Sequence, residues 1–373
     1  MLLRLAFVFV AFPYIEHRWN LREDGDGYRV IAQTIRDGRY DDVTRGPIYP
    51  AFVAIAGSPL AVKVLQAFWD VATCLLVYWL ANRSLSAAWL WAVYPFAIWR
   101  VAFINKEIAL VFLLASYICV QVMALREGKA HQWLGAGALL GLVNFCKPTF
   151  LPWPLVVATF ARWNRLPLAR VALLIWAMIA LIAPWTVRNW RVTGGEFVPV
   201  ATEVGGMTTF VGNYQPTDGL WEGAGKIRWQ SEVDEIKRQH RGASVVELDR
   251  VFYRAAWQQM TSNPLKALEI VVRKCGRFWF LSAAQRERPA SCAIQIAYLL
   301  LAGIGLWRRR PWSQRTMLLV TLILYVWLIH AISYADLRFS LPVMPFVCVF
   351  SAAAFQPSEH STDATRSATV RTS

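Results

Sequence analysis

EIALVFLLASYICVQVMA, residues 107–124, carries one charge, at its first residue, and is otherwise apolar or neutral. A helix needs about 20 such residues to cross a hydrocarbon core of about 30 Å, and inside lipid only a helix or a closed barrel satisfies every backbone polar group. Nine further apolar runs flank it, at 2–15, 60–81, 85–99, 132–146, 149–161, 171–187, 292–307, 316–333 and 341–355. The pattern predicts an all-α polytopic membrane protein of about ten transmembrane helices, the shorter runs being broken or buried in protein. Composition agrees: 56% of the residues are hydrophobic, 19 are tryptophan, and mean hydropathy is +0.36, too apolar for a soluble domain of 373 residues.

The loops set an orientation. Arg83, Arg126 with Lys129, the group Arg162, Arg165 and Arg170, and the run Arg308 to Arg310 with Arg315 fall on one side if the spans alternate. The positive-inside rule makes that side cytoplasmic, so loop 16–59 and segment 188–291 face outward. Much of the +15 net charge is then a topology signal, and no nucleic-acid partner is implied. Arg4 ahead of the first apolar run fits the start of a signal peptide, but no small-residue cleavage site follows, and a retained anchor is expected. The organisation read from this is an N-terminal transmembrane module 1–187, an extracytoplasmic α-rich domain 188–291, C-terminal helices 292–355 and a polar, disordered cytoplasmic tail 356–373.

The six cysteines are scattered, Cys74, Cys119, Cys146 and Cys348 within or at the ends of spans, and read as small core residues. No Walker loop, dinucleotide fingerprint, Gly-x-Ser-x-Gly elbow or metal-ligand spacing of His and Cys occurs, so ATP-driven transport and serine hydrolysis lack support.

What chemistry remains lies in the loops. EDGDGYRVIAQTIRDGRYDDVTRGPIYPAF, residues 23–52, places Glu23, Asp24 and Asp26 before a stretch in which Tyr28, Ile31, Ala32 and Ile35 recur at helical spacing. Carboxylates there suit a helix N-terminus, so capping alone accounts for them; a role in catalysis is the other reading. Arg45-Gly46-Pro47-Ile48-Tyr49-Pro50 then sets a guanidinium on a rigid turn beside an apolar run, at the depth of a lipid phosphate. Within the second span Lys63, Gln66 and Asp70 share one helical face, which must point into the bundle, either as a polar wall or for interhelical hydrogen bonds. In the outer segment Ser244-Val245-Val246-Glu247 fits a capping box, and Asn263-Pro264 restarts a helix over 264–280.

The order of these pieces resembles the dolichyl-phosphate-mannose protein mannosyltransferase family and its bacterial relatives, among them the lipid A aminoarabinose transferases. The resemblance rests on the Asp, Tyr and Arg-Gly-Pro-Ile-Tyr-Pro order of the first loop and on Asn105-Lys106-Glu107. Cys146-Lys147-Pro148-Thr149, Ala183-Pro184-Trp185-Thr186-Val187-Arg188-Asn189, Gly205-Gly206, Gly212-Asn213 and Arg338-Phe339-Ser340-Leu341-Pro342 follow in register. It covers about residues 1–355 and implies a glycosyltransferase C-type fold in a bacterial cytoplasmic membrane, with the active site on the outer face.

The resemblance further implies transfer of a sugar, with inversion, from a polyprenyl-phosphate donor to a hydroxyl of a lipid, glycan or protein acceptor. Such a reaction needs a base for the acceptor proton and cations for the leaving phosphate. The family's carboxylate maps to Asp24, four residues before Tyr28, with Asp26 the competitor because Gly25 replaces the second member of the commoner Asp-Glu pair. Glu23 is expected to tune the pair by like-charge repulsion. Arg45 and Arg338, then Lys147 and Lys106, are candidates for the phosphate, with Tyr28, Tyr49, Glu107 and His330 as further substrate-binding residues. No cofactor is expected, since relatives with monophosphate donors work without a metal, although carboxylates so close together suit a divalent ion. A transporter or flippase of polyprenyl-linked glycans would use the same cations without a base.

Overall fold

A computed structural model describes residues 1–19, 25–221, 226–281 and 288–356; 79% of these described residues are helical, and there is no strand among them. In chain order the helices are α1 (Leu2–Ala6), α2 (Phe12–Trp19), α3 (Gly25–Arg36), α4 (Ile48–Ala56), α5 (Pro59–Leu80) and α6 (Leu85–Ala92), then α7 (Pro95–Val101), α8 (Glu107–Glu127), α9 (Ala130–Cys146), α10 (Trp153–Trp163) and α11 (Leu168–Val192). The outer segment contributes α12 (Gly205–Gly212), α13 (Lys226–Gln239), α14 (Val245–Ser262) and α15 (Pro264–Phe280), and the chain closes with α16 (Arg288–Arg308), α17 (Gln314–Ile332) and α18 (Met344–Ala353).

Each of the ten apolar runs is helical. Among the described residues five helices are long and apolar enough to cross a membrane: α5, α8, α11, α17 and the Pro289–Arg308 stretch of α16. The run 85–99 is divided between α6 and α7, with Pro95 opening the second piece, because proline is accepted at the first turn of a helix and not in its interior. The run 341–355 begins inside a 3-10 turn, Leu337–Val343, that contains Pro342, and α18 opens after it with Pro345 in its first turn.

The most buried span is α8, which packs against α5 and α9, and α9 in turn packs on α11. The approach of α9 to α11 depends on Gly137, where a Cβ would lie 2.2 Å from the Leu174 carbonyl oxygen. Gly141, one turn on, faces the Leu181 side chain in the same seam, so the two helices meet at a small-residue stripe as helices in lipid do.

The polar face of α5 is engaged from three directions, with Asp70 Oδ1 left without a hydrogen bond among the described residues. Gln66 accepts from the Tyr49 hydroxyl at 2.6 Å and donates to the carbonyls of Val101 and Phe103 at 2.9 and 2.8 Å. Lys63 lies over the Phe12 ring at 4.6 Å. Asp70 is fully buried and pairs with Arg4 at 2.6 Å, while the same guanidinium donates to the carbonyls of Ala92 and Trp91. Arg4, read from the sequence as a flanking charge, is thus a core residue that ties the first helix to α5 and α6; interhelical bonding is what this face does.

The charges sort to two ends. At one end Arg315 donates to Asn82 at 2.6 Å, Arg308 donates to the Ala354 carbonyl at 2.5 Å, and Arg170 sits against Gly128. At the other end lie the start of α8, the ends of α9, α11 and α17, and the outer helices. There the expected capping box is present, with Ser244 Oγ accepting from the Glu247 amide at 3.0 Å and Glu247 accepting from the Ser244 amide at 2.9 Å. Along α15, Leu265, Leu268 and Val272 are exposed, whereas Trp279 is buried against Trp327.

Truncating one member of a buried ion pair strands the other, so Asp70→Ala should cost about 3–5 kcal/mol of stability. Thermal denaturation in detergent should show the loss and its recovery when Arg4 is also replaced by methionine; an undiminished melting temperature in Asp70→Ala would contradict the burial of this pair.

Candidate site at the head of α8

Three loops converge at the N-terminus of α8. The first loop is held against the outer segment by two backbone bonds, Thr202 N–H to Val43 C=O at 3.0 Å and Glu203 N–H to Thr44 C=O at 2.8 Å. Glu203 and Val204 adopt left-handed φ values of 53° and 52°, which turn the chain into α12 and leave the Glu203 carboxylate between two donors. One oxygen accepts from the Gly46 amide at 3.1 Å; the other pairs with Lys106. Gly46 is required because a Cβ there would lie 2.0 Å from the Phe145 carbonyl oxygen at the end of α9.

The last turns of α11 act as a peg between the two loops. Arg188 donates to the carbonyls of Asp42 and Tyr40 and lies over the rings of Tyr40 and Trp185 at 4.8 and 4.6 Å. Asn189, fully buried, donates to the carbonyls of Val198 and Val200 at 3.0 and 2.8 Å. Trp185 donates to Val200 and Thr186 to Pro199. The Ala183–Asn189 stretch thus secures loop backbone.

Around this frame the cations gather. Lys147 follows α9 and lies 2.9 Å from His330 Nε2, while His330 Nδ1 bonds the Val326 carbonyl at 2.7 Å. With Nδ1 carrying the proton, Nε2 is the acceptor for Lys147. Lys147 Nζ is 4.1 Å from the centre of the Phe339 ring, and the Arg338 guanidinium is 5.0 Å from the same ring. Asp336 caps the 3-10 turn by accepting from the Arg338 amide at 2.9 Å, and its carboxylate stands 4.0 Å from Arg338 Nε. Glu107 shares its electrostatic environment with Arg100, Arg338, Lys106 and Lys147, and its Oε2 is buried without a hydrogen bond among the described residues. Arg45 lies 4.5 Å over the Tyr28 ring, and Tyr28 feels the charges of Lys106, Glu203, Arg45 and Glu107.

Burial brings Lys147 down to about 7, reinforced by the positive charges of Lys106 and Arg338 and partly offset by Glu107 and Glu203. Burial acts in the same direction on Lys106, but Glu203, with Tyr28 and Cys146, outweighs it and holds that amine above the usual lysine range. Two lysines at one site thus differ in kind: Lys106 is a fixed cation with a partner, and Lys147 a cation held at a cost.

Of the residues singled out in the sequence, Lys106, Glu107, Lys147, His330 and Arg338 are brought together, and Arg45 with Tyr28 adjoins them through Gly46 and Glu203. Tyr49 is buried, its hydroxyl committed to Gln66 and its ring 4.8 Å from that of Tyr28. Glu23 and Asp24 lie outside the described residues; Asp26 is in the first turn of α3, and its side chain also lies outside them. Glu203, Arg100 and the Phe339 ring were not anticipated. Glu203 had a signal, a lone acid just before Gly205-Gly206, but nothing local to connect it with Lys106. Among the described residues no three metal-ligating side chains converge. Comparison with family models, curated proteins and solved structures gave no match.

Lys147 sets a testable sign. Its native value near 7 lies below the ordinary lysine value, so between the two the unfolded chain binds more protons and stability rises with pH. Replacing Lys147 by methionine should raise stability near neutrality and flatten that slope relative to wild type in melting curves taken across pH; an unchanged slope would place the amine in water.

Proposed function

We propose that this chain is a membrane glycosyltransferase that moves a sugar from a polyprenyl-phosphate donor to a hydroxyl acceptor on the extracytoplasmic face, with inversion. The observation that carries the reading is the convergence of Arg100, Arg338, Lys106 and Lys147 around Glu107, with Arg45 over the adjoining Tyr28, at the end of the bundle opposite the arginine-rich loops. By the positive-inside rule the arginine end is cytoplasmic and the site end is outside. The resemblance in the motifs adds the donor class and the C-type fold, and the ten apolar runs supply the count of about ten spans.

The chemistry follows from the charges. The acceptor oxygen attacks the anomeric carbon from the face opposite the phosphate. The bond between that carbon and the phosphate oxygen breaks, and its electron pair leaves with the polyprenyl phosphate. The acceptor proton passes to a carboxylate of the first loop, Asp24 or Asp26, with Glu23 raising the basicity of its neighbour. Arg338, and Lys147 when protonated, face the developing phosphate charge, where cations held in place in a site poor in water act most strongly. Phe339 offers its ring to both cations, and Glu107 limits their mutual repulsion.

Proteoliposomes supplied with polyprenyl-phosphate sugars test this by following donor consumption and donor binding separately. Wild type should consume a donor, Arg338→Gln should slow turnover by about a hundredfold or more, and one of Asp24→Asn and Asp26→Asn should bind donor yet fail to transfer. Wild type that moves lipid across the bilayer and never consumes any donor would replace the transferase with a flippase.

The titration of Lys147 gives a second expectation. Affinity for the released polyprenyl phosphate should fall as pH rises above about 7, because the amine loses the charge that meets the phosphate. Lys147→Gln should bind more weakly and lose that pH dependence; a pH-independent wild type would remove Lys147 from phosphate binding.

A further inference from the structure

Lys274 of α15 is fully buried, and its amine has three acceptors, one for each hydrogen of an ammonium: Asn213 Oδ1 at 2.8 Å and the carbonyls of Ile332 and Ser333 at 2.9 and 3.0 Å. Those carbonyls end α17, where backbone oxygens lack helical partners and a cation is favoured. We propose that Lys274 is a positioning residue for the candidate site, clamping the end of α17 so that Arg338 and the Phe339 ring are held beside Lys147. What the site binds rests on the donor reading above; the clamp itself does not.

One jaw of the clamp is α12. Asn213, at its end, donates to the carbonyls of Thr209 and Ile332 at 2.9 and 3.0 Å, so its amide is fixed while its oxygen takes the amine. Gly212 is required beside it, because a Cβ there would lie 2.2 Å from the Ser333 carbonyl oxygen. The Gly212-Asn213 pair of the sequence thus seats the outer segment on α17. Since α12 starts just after Glu203, it forms a strut of about 12 Å from the Lys106 ion pair to the end of α17.

The other jaw is one face of α15. Lys274, Phe278 and Leu281 fall at i, i+4 and i+7 and follow the chain as it leaves α17. Lys274 takes the last carbonyls of the helix, and the Phe278 ring lies 5.8 Å from that of His330. The Leu281 carbonyl accepts from the Leu337 amide at 2.9 Å. Leu337 opens the 3-10 turn that carries Arg338 and Phe339, and the Phe339 ring is 4.7 Å from His330. The short stretch 333–337 is therefore gripped at both ends by one helix. A buried ammonium is a costly way to end a helix and strands its acceptors when removed, and its place between His330 and Arg338 makes the site the part that feels the loss.

Hydrogen exchange of the full chain in detergent, read by mass spectrometry, tests the clamp. In Lys274→Met the amides of Ser333, Leu337 and Phe339 should exchange about tenfold faster than in wild type, the worth of one charged hydrogen bond, while those of α8 keep their rates. Asn213→Ala, which removes one acceptor and one brace, should move the same amides in the same direction, and it carries the test if Lys274→Met does not fold. Lys266→Gln, on the same helix and paired with Asp218 and Glu269, should leave them as they are. Unchanged exchange at 333–339, or an equal acceleration throughout α8, overturns the proposal. Affinity for polyprenyl phosphate gives the readout that a general loss of stability would not move: Lys274→Met should weaken binding by about tenfold in the wild-type background and not at all in Arg338→Gln. Additive losses would show that Lys274 does not act through Arg338 and overturn it equally. A wild type that binds no polyprenyl phosphate removes the donor reading instead, and the exchange rates then decide the clamp alone.

Discussion

The ion pair between Lys106 and Glu203 is the contact on which the site end of this molecule depends. Lys106 stands at the head of the most buried span, Glu203 belongs to the outer segment, and the second Glu203 oxygen takes the Gly46 amide of the first loop. One carboxylate therefore joins three parts of the chain far apart in sequence. With both charges largely withdrawn from water, removing either would leave the other stranded, a far larger penalty than breaking a surface pair. The Arg188 peg and the backbone bonds at Val43 and Thr44 then fix the loops around that joint.

Beyond the joint the arrangement works against stability. Lys147, Arg338 and Lys106 are like charges in a confined space, relieved by Glu107, by Glu203 at Lys106 and by Asp336 at Arg338. A fold seeking stability alone would place apolar side chains there. A cluster of cations and acids gathered at one end of a bundle is the kind of arrangement the proposed phosphate-bearing donor would need.

Much of this was legible in the sequence, because spacing and composition are local signals. The apolar runs, the capping box at Ser244 and the helix over 264–280 follow from periodicity and cap chemistry, and all are present. The pairings were not legible. Arg4 reads as a flanking charge until Asp70 is seen beside it, and Tyr49 reads as a substrate contact until its hydroxyl is found on Gln66. Glu203 lies about a hundred residues from Lys106 and has no periodic signature of its own. Charge pairing across a bundle is a property of topology, which residue spacing does not encode.

Photo-crosslinking of a diazirine-bearing polyprenyl phosphate to the reconstituted protein, with the labelled peptides mapped, tests the central claim most directly. The account predicts labels on the segments around Lys147 and around Arg338 to Phe339, displaced by excess unmodified polyprenyl phosphate. Labelling confined to the arginine end, around residues 308–315, with none at the head of α8, would contradict it.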